Sequence, residues 1–589
     1  MSGVAITRPI ARLLHLARPY RAGLAWGVVC VASANVVALV QPQVLRYAVD
    51  DLYHGVTAEK LGRYALILFG IAVLAGLFKY AMRQLIIAIS RRLEFDLRNQ
   101  LFEHLQTLPV PWFQEHRTGE IMSIATNDLS AVRNMLGPGV MYTVNTVTVG
   151  LVSIGFMLNI SPRLTLYSLL PLPLVSLSVW FFGDRIHRRF ERVQEKFAEL
   201  SAHVQENLGG MRVVRAFVAE RRECDRFEAL NEEYLEGNLK LIRTSGLFSP
   251  SLSFFSGLGA LLALWVGGRE TVLGRITLGQ FVAFTVYLGM LNWPMVALGW
   301  VINIFQRGMA SFGRITAVLD EVPSIASPAA ADAVPHPAPA AGELEFRGLT
   351  FTYPGAPSPA LRDVSFRVPA GTTVALVGRT GSGKSTLLAL LPRLFDPPPG
   401  TVLLDGRDVR SLDLAWLRAQ LAVVPQEPFL FSASITENLA YGVAAADDAA
   451  VRAAAHVAHL DGDIEGFPGR WETHVGERGI TLSGGQKQRA TIARALLRGA
   501  PVLLLDDCLS SVDTHTEEAI LGGLRGEMRR RTTLIVSHRV STVRDADQIL
   551  VFDEGAIVER GRHDELLAAG GRYAALHKAQ QLEEEIEAS

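Results

Sequence analysis

The chain has 589 residues, a net charge of −1, 49% hydrophobic residues and a mean hydropathy of +0.23. That length exceeds one compact domain, and the balanced charge gives no ground for a nucleic-acid partner. Three cysteines set far apart, Cys30, Cys224 and Cys508, argue against a disulfide framework or a zinc site and fit a reducing compartment for the soluble part.

Apolar residues crowd the first half. Charge-free runs occupy 22–45, 64–78, 134–162, 164–183, 244–268 and 276–306. A membrane-crossing helix needs roughly 20 apolar residues. Five runs reach that length, and the short one does so if Lys79 and Arg83 snorkel or lie at the membrane edge. One such run reads equally well as a buried core helix, but six do not. The expectation is six spans, at about 22–46, 61–83, 136–160, 164–186, 245–268 and 277–304.

Arg8, Arg12, Arg18 and Arg21 precede the first run and place the N-terminus in the cytoplasm. The basic segments 79–133 and 184–243 then lie on the same side, and the loops 46–63, 161–163 and 269–275 lie outside. "TRPIARLLHLARPYR" (7–21) reads as an interfacial amphipathic helix. The first run is too long for a signal peptide, and no small-residue cleavage site follows it. Segments 84–133 and 184–243 read as cytoplasmic continuations of membrane helices, broken by turns near Pro109, Pro111 and Gly119 and at Gly209–Gly210. The Pro/Ala-rich stretch 322–342 cannot pack a core and reads as a linker. From 343 onward short apolar strands alternate with helices. The expected fold is an all-α six-helix transmembrane domain (1–321), the linker, and an α/β domain (343–589).

"VALVGRTGSGKSTLL" (374–388) is a strand, then Gly-x-x-x-x-Gly-Lys-Ser, then an apolar helix. Gly378, Gly381 and Gly383, interleaved with Thr380 and Ser382, let backbone N–H groups turn inward around phosphates, and the helix N-terminus (Lys384, Ser385, Thr386) adds its dipole. Lys384 reaches the β- and γ-phosphates of a nucleotide in such a loop, and the Ser385 hydroxyl ligates Mg²⁺. "PVLLLDD" (501–507) is a buried strand ending in Asp506, placed to hold the Mg²⁺ shell. "LSGGQKQRATIARALLR" (482–498) opens a helix with a second anion cradle. One ATP does not need two cradles from one chain, so the second is expected to cap an ATP held by another subunit.

Leu482, Ser483, Gly484, Gly485 and Gln486 match the signature of ATP-binding cassette (ABC) proteins. "FTYPG" (351–355), "VVPQEPFLFSASITENLAYG" (423–442), "THVGERGITLSGGQ" (473–486), "SSVD" (510–513) and "VSHRVSTV" (536–543) stand in that family's order. With six spans before one cassette, the chain resembles a half-transporter of the bacterial multidrug-exporter type, similar to lipid-A-flippase-like and heterodimeric drug exporters. "FQEHRTGEIMSIATNDLSAVR" (113–133) and "ENLGGMRVVRAFVAE" (206–220) look like its two coupling regions. The resemblance implies that Tyr353 stacks on adenine, a cross-strand core tyrosine being the alternative. It implies that Gln426 joins the Mg²⁺ shell with Ser385 and Asp506, and that His538 contacts the γ-phosphate. It also implies that Leu482–Gln486 serve the partner's ATP and that Asp513 communicates between the two sites.

One position departs from the family's pattern. Where most members carry glutamate after the Mg²⁺ aspartate, this chain has Asp507. Aspartate keeps the charge but withdraws it by about 1.5 Å, and a general base must lie within roughly 2.6–3.2 Å of its proton. A backbone shift would restore the reach, but a displacement near 1 Å costs on the order of 100-fold in rate. The chain is therefore expected to bind ATP well, hydrolyse it slowly, and pair with a second half-transporter that carries glutamate at the equivalent position and an altered signature.

The leading expectation is ATP-driven export of amphipathic small molecules, lipids or peptides across the cytoplasmic membrane by alternating access. Import on the same scaffold, or a regulated channel, are the other classes. Vesicle direction or ionic current separates them. Polar span residues Asn35, Gln41, Tyr142, Asn145, Asn292, Trp293 and Gln306 are candidates to face the cavity or to glue helices together. The absence of an evident charge cluster in the spans favours lipid-like cargo over a small anion, and Pro294 is a candidate kink.

Overall fold

The computed structural model describes residues 12–588 apart from 14, 56, 329–338, 477–478 and 511–513. Asp513, Arg8 and the centre of the expected linker thus lie outside the described residues. The chain divides into two compact units: residues up to 106 with 118–321, and 107–117 with 322–589.

Among the described residues six helices are long and apolar enough to cross a membrane: α1 (His15–Tyr53), α2 (Ala58–Thr107), α3 (Thr118–Ile160), α4 (Pro162–Gly209), α5 (Glu220–Val272) and α6 (Leu278–Leu319). At 1.5 Å per residue the 50 residues of α2 reach about 75 Å, more than twice the hydrocarbon core of a bilayer. Beyond their apolar stretches α2, α4 and α5 run on as charged stems bearing i,i+4 ion pairs such as Arg98–Glu94, Arg188–Asp184 and Lys240–Glu236. The amphipathic segment is less regular than its pattern predicts. Pro19 falls within a 3₁₀ turn, Arg18–Tyr20, that separates residues 15–17 from the rest of α1.

Close packing uses small residues where helices cross. A Cβ on Gly27 of α1 would stand 2.5 Å from Ile86 Cγ1 of α2. The regular hydrogen bonding of α6 is interrupted at Leu291, three residues before Pro294, where the proline's missing N–H and its ring disrupt the preceding turn. Next to that bend the buried Tyr287 hydroxyl donates to Leu39 O at 2.7 Å and accepts from Gln43 Nε2 at 3.2 Å, tying α6 to α1. At its N-terminus α6 is capped from α1: Asp50 accepts from the Thr277 hydroxyl and from Gly279 N, each at 2.7 Å.

The stems are cross-linked by two buried carboxylates. Glu94 meets Arg98 at 2.9 Å and Arg133 at 3.2 Å. Asp128 receives both arms of Arg314 at 2.6 and 2.9 Å and the Ser311 hydroxyl at 2.8 Å. Both carboxylates lie in or beside α3, which takes π-helical turns at Ile124–Asp128 and Met135–Gly139. Truncating Arg314 to alanine strands the Asp128 carboxylate. Because the arginine is half exposed, the expected loss is about 2 kcal/mol, less than for a fully buried pair. Adding Asp128→Asn to Arg314→Ala is expected to recover most of it in thermal unfolding of the detergent-solubilised chain.

The described residues of the second unit form two sheets. One is antiparallel, in the order β2 (Leu361–Val368), β1 (Leu344–Phe351), β4 (Val402–Leu404), β5 (Arg407–Asp408). The other is ordered β10 (Ala556–Gly561), β9 (Gln548–Asp553), β3 (Thr373–Gly378), β8 (Thr532–Val536), β7 (Val502–Asp506), β6 (Leu421–Val424). It is parallel except for β10. β7 is a continuous apolar run because both its faces are covered. Leu503 and Leu505 enter a core shared with helix α7 (Gly484–Arg498), while Val502 and Leu504 enter the core between the sheets. The end of the linker is pinned by Asp405, which accepts from the backbone N–H groups of Ala341, Gly342 and Glu343 at 2.8–2.9 Å.

Residues 107–117 belong to this unit although chain order places them among the membrane stems. Pro109 and Pro111 stop α2 and open a short helix, Val110–Glu115. That helix buries Trp112, whose ring stacks on His116 at 4.2 Å.

Candidate nucleotide site

Every expected catalytic side chain within the second unit stands at the C-terminal edge of the parallel sheet, where open α/β sheets place their ligands. The phosphate loop follows β3, Asp506 ends β7, His538 lies two residues past β8 and Gln426 two past β6. The register pairs Leu505 with Val424 and with Ile535, and Asp506 with Val536, so these ends are adjacent.

In the loop Gly378, Gly381 and Gly383 have φ of +148°, +82° and +98°. A Cβ on Gly383 would stand 2.6 Å from Ala360 O, so the turn into the helix Lys384–Leu390 admits no side chain there. Lys384 is buried, and its ammonium donates to Gly378 O at 2.8 Å, Arg379 O at 2.9 Å and the Ser382 hydroxyl at 3.3 Å. Burial pushes its pKa below the ordinary lysine value, against the pull of Asp506 and Asp507. Thr380, Gly381 and Ser385 are exposed, and Thr386 is nearly buried, accepting from the Tyr353 hydroxyl at 3.0 Å. The Tyr353 ring meets Phe395 and Phe351 edge-on at 4.9 and 5.1 Å, which fixes it beside the loop.

The Ser385 hydroxyl donates to Asp506 at 2.9 Å. Burial raises the Asp506 pKa above the usual carboxylate range; the Ser385 bond opposes it and the Asp507 charge adds to it. Two negative groups at a desolvated strand end call for a cation. Hydroxyl, carboxylate and the Gln426 amide oxygen are the hard donors that Mg²⁺ takes, so the residues present fit that ion. Ser385, Asp506 and Gln426 would hold it, and its chemistry is to neutralise charge across the β- and γ-phosphates.

Asp507 donates its N–H to Val536 O at 2.9 Å and has φ +44°. This left-handed conformation is several-fold enriched in aspartate and asparagine among residues with a Cβ. Cys508 behind it is fully buried, and burial pushes its thiol up to about 12, leaving it no acid–base role.

Ser483 caps α7: its hydroxyl accepts from Gln486 N at 3.3 Å, and Gln486 Oε1 accepts from Ser483 N at 3.0 Å. Gln486 also donates to Asp463 at 2.8 Å. Leu482 is buried beneath the turn, whereas Ser483 and Gly484 are exposed and Gly485 partly so. None of the hydrogen bonds made by side chains of these five residues reaches the phosphate loop.

Two supporting residues escape sequence reasoning. Gln580, in the helix Arg572–Ala588, donates to His538 O and accepts from Val540 N at 2.9 Å, clamping the histidine loop. Buried Glu517 pairs with Arg539 and accepts from the Thr542 hydroxyl at 2.9 Å. These residues lie 22 to 42 positions away from their partners, and nothing in their local pattern marks them.

Among the candidate cavity residues, Asn35, Tyr142 and Asn145 line one cavity, Gln306 another, and Asn292 a third.

A strand–loop–helix phosphate cradle, a metal-type carboxylate, a histidine on the neighbouring strand and a separate signature helix define an ATP-binding cassette. A family model for the ABC transporter transmembrane region matches residues 24–295, and one for the ABC transporter cassette matches 361–510. The chain belongs to the ABC transporter family. It is 38% identical over 560 residues, 94% of each chain, to YheI of Bacillus subtilis, a probable multidrug resistance ABC transporter ATP-binding/permease protein. It is 34% identical over 576 residues to an ATP-dependent lipid A-core flippase of Syntrophus aciditrophicus, covering 98% of this chain and 95% of that one. A bacterial Atm1-family ABC exporter with ATP bound matches with a TM-score of 0.76 and 29% identity, over 96% of this chain and 98% of that chain. The resemblance read from the signature is borne out at the level of family and architecture. The protein is a multi-pass membrane ATPase that couples hydrolysis to transport.

Proposed function

We propose that this chain exports amphipathic or hydrophobic compounds across the cytoplasmic membrane as one half of a heterodimer whose two ATP sites are unequal. The observation that carries the asymmetry is Asp507, one methylene short at the base position of a site otherwise complete. Lys384 and the loop N–H groups bind the phosphates, Tyr353 takes the adenine, His538 meets the γ-phosphate, and Asp507 orients water poorly. Ser483 and Gly485 face outward to serve the partner's ATP, with Asp513 relaying between the sites. Closure of the two cassettes is carried to the spans through 107–117 and through the second turn, where Phe217 and Val218 stand 79% and 84% exposed. An apolar pair so exposed on a cytoplasmic turn suits a docking contact with the partner.

Inside-out vesicles holding the chain and its partner are expected to accumulate a fluorescent amphiphile only with hydrolysable ATP. Net movement in the opposite sense would establish import, and ionic current without accumulation would establish a channel; either result sinks this reading.

A further inference from the structure

The loop that carries His538 is fastened from two sides. On one side buried Glu517 pairs with Arg539 and accepts from the hydroxyls of Ser541 at 3.2 Å and Thr542 at 2.9 Å. On the other the Gln580 amide donates to His538 O and accepts from Val540 N at 2.9 Å. Arg539, between those two backbone groups, is extended, with φ −100° and ψ 128°. A carbonyl and an N–H flanking one extended residue are what a residue of a parallel neighbouring strand would pair. The glutamine amide thus takes the place of a strand along the histidine loop. Arg539 N donates in turn to the Ser537 hydroxyl at 3.0 Å. The His538–Arg539 peptide is planar, so holding its oxygen and its nitrogen fixes the whole group. That limits the direction in which the His538 ring leaves the loop.

Gln580 lies on the helix Arg572–Ala588, one face of which packs on the cassette. Tyr573 is fully buried, its hydroxyl 2.8 Å from His563 Nδ1, and Leu576 lies against the core shared with α7. Gln580 follows Tyr573 at i+7 on the same face. Packing asks only for an apolar side chain there. A planar group with a donor and an acceptor side by side is asked for by the histidine loop alone.

We propose that Gln580 is a positioning residue for ATP hydrolysis. It holds the His538 peptide, and through it the imidazole, where the γ-phosphate is met. Glu517 secures the far end of the loop and leaves the histidine peptide to Gln580. Turnover at this site therefore depends on the docking of the helix Arg572–Ala588, which stands outside the phosphate loop, the metal-type carboxylate and the signature. This rests on the role given to His538 above.

The test is a double-mutant cycle on the full-length purified chain. It is read as release of radiolabelled phosphate over a range of ATP concentrations and, separately, as binding of a fluorescent ATP analogue. Gln580→Met keeps the length and packing of the side chain and removes both hydrogen bonds. It is expected to lower kcat by on the order of tenfold, a part of the roughly 100-fold that a 1 Å misplacement can cost. KM and analogue affinity should stay within about twofold of wild type, because the lost interaction serves the reaction and not ground-state binding. His538→Ala keeps the backbone that Gln580 holds and is expected to lower kcat further. Adding Gln580→Met to it should change nothing more, since a residue acting through another is not additive with it. Equal kcat for wild type and Gln580→Met overturns the proposal. Joint loss of analogue binding and turnover in Gln580→Met, or an independent multiplicative loss in the double variant, shows a role in the fold instead and overturns it too. His538→Ala turning over at the wild-type rate removes the role given to His538, and this inference with it.

Discussion

Asp507→Glu is expected to raise ATP turnover at this chain's own site by roughly one to two orders of magnitude. The added methylene carries the carboxylate about 1.5 Å further, from outside the reach of a water on the γ-phosphate to within the roughly 2.6–3.2 Å that proton transfer requires. The structure shows what opposes the change: position 507 has φ +44°, and a left-handed residue other than Gly, Asn or Asp costs about 1–2 kcal/mol. That cost falls on stability, against a barrier change of about 1.4 kcal/mol for each factor of ten in rate. The variant should therefore melt slightly lower and turn over faster, measured as steady-state phosphate release by the purified chain alone and with its partner. Equal rates for wild type and variant would show that Asp507 already reaches its water, and the unequal-site proposal would be wrong.

What the sequence made legible is what lies contiguously in the chain. The phosphate loop is written out because glycines at fixed spacing, a lysine and a hydroxyl must follow one another for backbone N–H groups to converge on phosphate. The six apolar runs are legible because a span must satisfy its hydrogen bonds within one uninterrupted helix. The illegible parts are assembled from distant segments. Gln580 reaches back 42 positions to hold the His538 carbonyl, in a helix whose charged pattern reads as an ordinary solvated tail. The short helix Val110–Glu115 looks like a break in a membrane stem, yet groups with the cassette.

Gly485→Asp is expected to reduce ATP turnover of the assembled pair by on the order of 100-fold or more, while leaving this chain's own affinity for ATP unchanged. Within α7 the substitution is benign. Gly485 lies in the first turn, where the N–H groups lack intrahelical acceptors and a carboxylate gains about 0.3–1 kcal/mol from the helix dipole. The Ser483–Gln486 capping box and the Gln486–Asp463 bond do not involve the Gly485 side. The partner's nucleotide is what would feel the change. In the proposed dimer a fixed negative charge is set beside the γ-phosphate, and two like charges about 4 Å apart at a partly screened surface repel by about 4 kcal/mol. The measurement is turnover of the co-expressed pair together with photo-affinity labelling of each chain by an azido-ATP. Expected are lost turnover, full labelling of this chain, and failure of the partner's ATP to become trapped. If labelling of this chain falls instead while the partner's turnover persists, the cradle at 482–486 serves the nucleotide of its own chain. The economy of one cradle per subunit for each ATP would then fail, and the dimeric architecture proposed here would fail with it.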